Sequence, residues 1–146
     1  MKTPHDWELM AVDSPYQTAI AVQTLLQEGN WMEATQGLSV LIDSMGRSEK
    51  RSLKSQLTRL MSYVIKWKCQ PEQCSASWAI AIRDARTEIE DSQEEFPSLN
   101  RAYIESIWDK CFSRAIKDAE DEMGRKSPVT SLSWAKVFEQ KYTLLD

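Results

Sequence analysis

The sequence contains few residues that interrupt a helix. Its 146 residues include 4 glycines and 5 prolines, and no stretch of any length alternates polar and apolar residues as a strand does. No apolar run approaches the ~18 residues that a membrane-spanning helix requires. The opening residues, MKTPHDWELM, also lack the hydrophobic segment of a signal peptide. We therefore expect an all-α protein that is cytoplasmic and makes no membrane contact.

Residues that commonly bind metals or carry out catalysis are scarce as well. The single histidine, His5, has no nucleophile nearby with which to form a catalytic triad. Cys69 and Cys74 are close in sequence, but a structural zinc site needs further ligands, and only Cys111 and His5 remain, in distant segments. No glycine-rich phosphate loop or dinucleotide-binding motif is present. The sequence therefore predicts no metal, no cofactor and reduced thiols, and it favours a protein without catalytic activity over an enzyme.

The composition is that of an ordinary folded protein. Hydrophobic residues make up 42% of the chain and charged residues 27%, which argues against intrinsic disorder. The net charge of -4 gives the chain no general attraction to nucleic acids or acidic membranes. The length suits one domain. We expect an N-terminal arm over residues 1–13, followed by a single all-helical domain over residues 14–146.

Capping signals and helical periodicity divide that domain into about five or six helices. Ser14 followed by Pro15 is typical of a helix start, and Gly29 predicts the end of the same helix. Gly46 is expected to separate a second helix from a third. The expected helices are residues 14–28, 32–45, 48–69 and 99–123, a fourth helix that starts near Ser75 or Ser77, and a short last helix after Ser133.

The third and fourth helices are expected to form an antiparallel hairpin around which the domain is organised. Pro71 ends the third helix, and the short connection brings the fourth helix back along it. The apolar face of the third helix is the clearest in the chain and comprises Leu53, Leu57, Leu60, Met61, Val64 and Trp67. The inward face of the first helix is expected to carry Tyr16, Ala19, Ile20, Leu25 and Leu26.

The central part of the chain resembles a known family. The residues that carry the resemblance are Ser44-Met45-Gly46-Arg47-Ser48-Glu49-Lys50-Arg51, Lys66-Trp67, Pro71-Glu72, Ser77-Trp78, Ile82, Arg86 and Ile89. They are similar to those of the bacterial, mainly cyanobacterial, family called domain of unknown function 29. The resemblance covers most of the chain after Ser14 and implies an all-helical fold of about this length. Because the family has no established activity, the resemblance leaves function open.

Two segments depart from the family pattern. Where the family has Tyr-x-x-Asp-Phe-x-x-Trp, this chain has the sequence YQTAIAVQ from Tyr16 to Gln23, which lacks both the acid and the tryptophan. The acidic run that usually precedes the family's Met-Gly is reduced here to SVLID, which ends at Asp43. If the family has an acidic site there, this protein has lost it.

The strongest indication of a binding site is a cluster of basic residues after Gly46. If Gly46 breaks the chain and Ser48 caps the third helix, then Arg47, Lys50, Arg51 and Lys54 lie together at a helix N-terminus. That end attracts anions, so a phosphate or a nucleic-acid backbone would fit. The acids between residues 88 and 95 offer an alternative, because they could pair with this basic cluster within the molecule.

These observations favour a non-catalytic interaction or regulatory module. Its partner would be an unknown protein or a second copy of the chain. The alternative is binding of nucleic acid or another phosphate anion through Arg47, Ser48, Lys50, Arg51 and Lys54.

Overall fold

A computed structural model describes residues 2–145, and within them the chain forms helices and no strands. The bounds are α1 Pro4–Asp13, α2 Pro15–Gln27, α3 Trp31–Cys69, α4 Ala76–Glu95, α5 Arg101–Ser106 and α6 Trp108–Met123. A 3₁₀ turn at Pro71–Gln73 joins α3 to α4, and a single π-helical turn at Ala135–Glu139 replaces the short last helix that we expected. The predicted all-α class is confirmed. Contacts group the chain into an N-terminal unit up to Lys50 and a C-terminal unit from Arg51.

The segment predicted as an N-terminal arm contains helix α1. Thr3 and Asp6 form a reciprocal capping box, in which each side chain accepts a hydrogen bond from the other's backbone N–H. Pro4 occupies the first turn of α1, where its missing N–H costs nothing. Trp7 is fully buried with Val22 and Ala34 as the core of the N-terminal unit. The division of the chain into an arm and one domain over residues 14–146 stays a prediction.

Helix α2 begins and ends as predicted but buries a different face. The Ser14 side chain accepts a hydrogen bond from the Gln17 N–H, and Gly29 adopts a positive φ of 80° just after the helix. Thr18 and Val22 are the buried residues of α2. Thr18 can be buried because its hydroxyl donates a hydrogen bond to the Ser14 carbonyl at 2.8 Å. The prediction was wrong for four residues, which are exposed: Tyr16, Ala19, Ile20 and Leu26.

Helix α3 is one continuous helix of 39 residues, so the expected break at Gly46 was wrong. A glycine inside a helix costs about 1 kcal/mol relative to alanine. That penalty is small beside the backbone hydrogen bonds and side-chain packing of a long helix, and α3 contains Gly37 as well as Gly46.

The C-terminal unit holds the larger core and contains the predicted helical hairpin. The predicted face of α3 packs there against Ile82, Ala85 and Ile89 of α4; all of it is buried except Trp67, which is partly buried. Ser75, one of the two expected starts, caps α4. Helix α6 ends at Met123 as expected, and Gly124 follows it at φ 70°. The expected helix over residues 99–123 is interrupted at Ile107. The Ser106 hydroxyl donates to the Tyr103 carbonyl and competes there with the helix backbone.

The C-terminal segment closes this core. Val137 and Tyr142 are buried, and the Tyr142 ring meets Trp67 edge-on with a centroid separation of 5.6 Å. Arg86 of α4 holds the segment in place: its Nε donates to the Val137 carbonyl at 2.9 Å, and its Nη2 donates to the Gln140 carbonyl at 2.8 Å. The two hydrogen bonds tie the end of the chain to the hairpin.

Candidate functional site

The residues of the predicted anion site lie in the interior of α3. Arg47, Ser48, Lys50 and Arg51 are exposed and Lys54 is half-buried. The N–H groups that lack an intrahelical partner belong to the first turn of a helix, and α3 begins at Trp31. The physical basis of the predicted site, a free helix N-terminus at Ser48, is therefore absent, and anion binding by these residues stays a prediction.

Pairing with the acids between residues 88 and 95 does not account for Arg51 and Lys54, the two basic residues of the predicted site that lie in the C-terminal unit. Within the described part of this unit, neither Arg51 nor Lys54 forms an ion pair with the acids between residues 88 and 95. The contact at Lys54 is through its backbone carbonyl, which accepts a hydrogen bond from the Cys111 thiol at 3.7 Å. Both basic side chains therefore remain available to solvent.

A different basic residue, Lys66, is the buried cation of the C-terminal unit. Its side chain is 6% exposed and forms an ion pair with Glu122 of α6. The ammonium also lies over the ring of Tyr63, at 4.0 Å from the centroid, and 5.4 Å from that of Trp78. From the sequence, Lys66 was named only among the residues that carry the family resemblance. Its position is a signal of burial, because Lys66 directly follows the buried Val64 and Ile65 on α3.

Next to this ion pair, α3 and α6 border an open polar cleft of about 530 Å³. Its α3 wall presents three hydroxyl groups, and three cations and two carboxylates complete its polar lining. The hydroxyls belong to Ser55, Thr58 and Ser62, the cations are Arg59, Arg114 and Lys117, and the carboxylates are Asp118 and Glu122. Tyr63 supplies an aromatic ring. We refer to this group of residues as the α3–α6 cleft.

The N-terminal unit instead exposes apolar side chains. Of the large hydrophobic side chains that are exposed in the described chain, ten precede residue 50 and three follow it. Four of the ten are spaced along one side of α3: Trp31, Leu38, Ile42 and Met45, with exposed fractions of 67%, 45%, 60% and 43%. We call these four residues the apolar stripe. Contiguous apolar surface of this kind marks interaction sites in soluble proteins.

The family comparison identifies the chain. Residues 16–143 match the family described as Domain of unknown function DUF29. The chain belongs to this family. No curated protein and no solved structure matches this DUF29 protein significantly.

The DUF29 resemblance noted in the sequence rests partly on residues that stabilise the C-terminal unit. Lys66 forms the buried ion pair, Trp67 packs on Tyr142, Arg86 holds the C-terminal segment, and Ile82 and Ile89 lie in the core. These residues stabilise the fold. The resemblance that they carry therefore predicts the fold of the chain and gives no information about its function.

Two further properties bear on this DUF29 protein. Within residues 2–145, no three His, Cys, Asp or Glu side chains come together in a way that could hold a metal ion. None of the described helices combines the length and the hydropathy that crossing a membrane requires.

Proposed function

We infer that this DUF29 protein is a non-catalytic interaction module that binds through the apolar stripe of α3. The observation that supports this proposal is the spacing of the stripe. Its members follow one another at intervals of seven, four and three residues, which is the pattern of a coiled-coil seam. Since all four side chains are exposed, to between 43% and 67%, the stripe offers a second helix a surface to pack against.

The charges near the stripe favour a second copy of the chain as its occupant. From Gly29 to Gly46 the charged residues are Glu33 and Asp43. Glu33 is already engaged, because it accepts hydrogen bonds from the Lys2 backbone N–H and the Asn30 side chain, each at 3.0 Å. Two such surfaces can therefore approach with little like-charge repulsion, whereas a strongly charged partner would find little to pair with.

The proposal includes a cytoplasmic location and a bacterial source. The free thiols of Cys69, Cys74 and Cys111 support the first. The family resemblance described from the sequence supports the second.

Sedimentation velocity over a range of protein concentrations tests the proposed self-association. We expect the wild-type protein to form dimers as its concentration rises. The variant Leu38→Lys/Ile42→Lys should remain a monomer, because it places ammonium groups in the centre of the seam.

The control variant, Gln36→Lys/Ser39→Lys, adds the same charge to exposed residues of α3 outside the stripe and should dimerise like the wild type. A wild-type protein that stays monomeric at all concentrations would refute self-association. Equal dimerisation of all three proteins would place the interface elsewhere and refute the role of the stripe.

A further inference from the structure

The α3–α6 cleft lies in the C-terminal unit and has no part in the function proposed above. We propose that it binds a small organic phosphate ester, a molecule with a phosphate group on a hydroxyl-bearing body. The cleft is concave, and its volume of about 530 Å³ falls in the range of ~300–1,000 Å³ that is usual for small-molecule sites.

The phosphate is assigned to the cationic side of the cleft. Arg114 and Lys117 lie one turn apart on α6, are exposed, and form no ion pair with any described residue. Arg59 faces them from α3 and touches only the ring of Tyr63, at 5.8 Å from the centroid. Planar guanidinium groups bind phosphate oxygens in pairs, and a lysine adds a point charge. These are the donors that a phosphate group uses.

The buried ion pair makes this side of the cleft electropositive. Lys66 neutralises Glu122 from within the core. Asp118 is then the remaining carboxylate of the cleft, and it faces the three cations Arg59, Arg114 and Lys117. The cleft therefore carries an excess of positive charge although the whole chain has a net charge of -4.

The hydroxyl groups on the α3 side of the cleft are the proposed binding partners of the hydroxyl-bearing part of the ligand. Ser55, Thr58 and Ser62 recur at intervals of three and four residues, so their hydroxyls lie along one face of α3. Ser62 is 6% exposed and lines the cleft. A ligand hydroxyl in the cleft would form a hydrogen bond with the Ser62 hydroxyl, and the Asp118 carboxylate would accept a hydrogen bond from another.

The same lining disfavours a nucleic acid as the occupant. A continuous phosphate backbone would pass the carboxylate of Asp118 and, beyond the cleft, those of Glu120 and Asp121 on the same helix. Like-charge contacts of this kind weaken binding. A single phosphate group avoids them, because it occupies only the cationic side.

Titration of ¹⁵N-labelled full-length protein with inorganic phosphate, glycerol 3-phosphate and AMP tests the proposal by NMR. We expect shifts confined to residues of the cleft, and tighter binding of the two esters than of inorganic phosphate. In Arg114→Gln/Lys117→Gln, the affinity for the esters should fall by about tenfold or more, because two charge-assisted contacts are lost.

The matched control is Lys110→Gln/Lys141→Gln, which removes the same charge from exposed residues outside the cleft and should bind as the wild type does. Arg59→Gln provides a second test on the opposite wall if the double variant on α6 fails to fold. The proposal is overturned if no ester shifts cleft resonances, or if binding survives in both cleft variants. It is also overturned if single-stranded DNA or RNA displaces the esters from the cleft.

Discussion

Two glycines of α3 occupy opposite environments, and replacing each with alanine tests the packing of the N-terminal unit. A Cβ atom built on Gly37 would lie 2.6–2.8 Å from three atoms of the Trp7 indole ring. Trp7 is fully buried, so its rigid ring has little room to move. A Cβ atom on Gly46 would meet nothing within 4 Å.

The comparison of the two variants isolates this steric clash. Each substitution gains about 1 kcal/mol of helix propensity, and this gain cancels in the difference between them. Overpacking a core by a methyl group costs ~1–3 kcal/mol. We therefore expect Gly46→Ala to stabilise the protein by about 1 kcal/mol. Gly37→Ala should be less stable than Gly46→Ala by about 1–3 kcal/mol.

Urea unfolding followed by circular dichroism gives both free energies by linear extrapolation. The variant Trp7→Leu removes the indole ring, so adding Gly37→Ala in that background should cost less than it does in the wild type. If Gly37→Ala is as stable as Gly46→Ala, the close approach of Trp7 to Gly37 does not exist in solution and the reasoning is refuted.

Three further predictions concern the C-terminal unit. Arg86→Lys removes the paired hydrogen bonds to the C-terminal segment and should lower the unfolding free energy by about 1.5–3 kcal/mol, as measured by chemical denaturation; an unchanged value would contradict the role of Arg86. Burial raises the pKa of Tyr142 above its ordinary value of 10.0, so the unfolded chain loses this proton first as the pH rises. Stability should therefore fall from about pH 10 upward, and Tyr142→Phe should show a smaller fall in a pH series of unfolding free energies. Glu122→Ala leaves the Lys66 ammonium without its partner and should destabilise by about 1–2 kcal/mol, since Glu122 is 59% exposed and its charge is screened by solvent. Adding Lys66→Met should restore part of that loss, and no recovery in thermal unfolding would count against the ion pair.

Local signals predicted much of the C-terminal unit. Ser75 and Gly124 cap their helices through interactions within a few residues, so the sequence alone was enough to place them. The apolar face of α3 was also predicted, because its spacing is strongly periodic and almost all of it is buried. Here local propensity and tertiary packing agree.

The N-terminal unit was predicted less well because long-range contacts decide its structure. Gly37 provides the space that Trp7 fills, and the two residues are thirty positions apart in sequence, so no local pattern reveals their contact. The capping box of α1 uses Asp6 in place of the usual Glu or Gln, so the arm was not recognised as helical. On α2, the methyl and hydroxyl groups of Thr18 displaced larger apolar residues from the core.

The candidate sites could not be predicted for a similar reason. A lysine is usually exposed, and the ion pair of Lys66 with Glu122, 56 residues away, cannot be predicted from the residues next to either in sequence. The α3–α6 cleft likewise combines residues whose proximity depends on how the two helices pack. The basic cluster at Arg47 was predicted from a helix start that α3 does not have.

Photo-crosslinking from the apolar stripe is the most direct test of the proposed interaction module. Ile42 would be replaced by benzoylphenylalanine, the protein irradiated at a concentration where self-association is expected, and the products mapped by mass spectrometry. We predict a crosslinked dimer in which position 42 is joined to α3 of a second copy, between Trp31 and Met45. A product that remains monomeric under these conditions would contradict the proposal that the stripe binds a second copy.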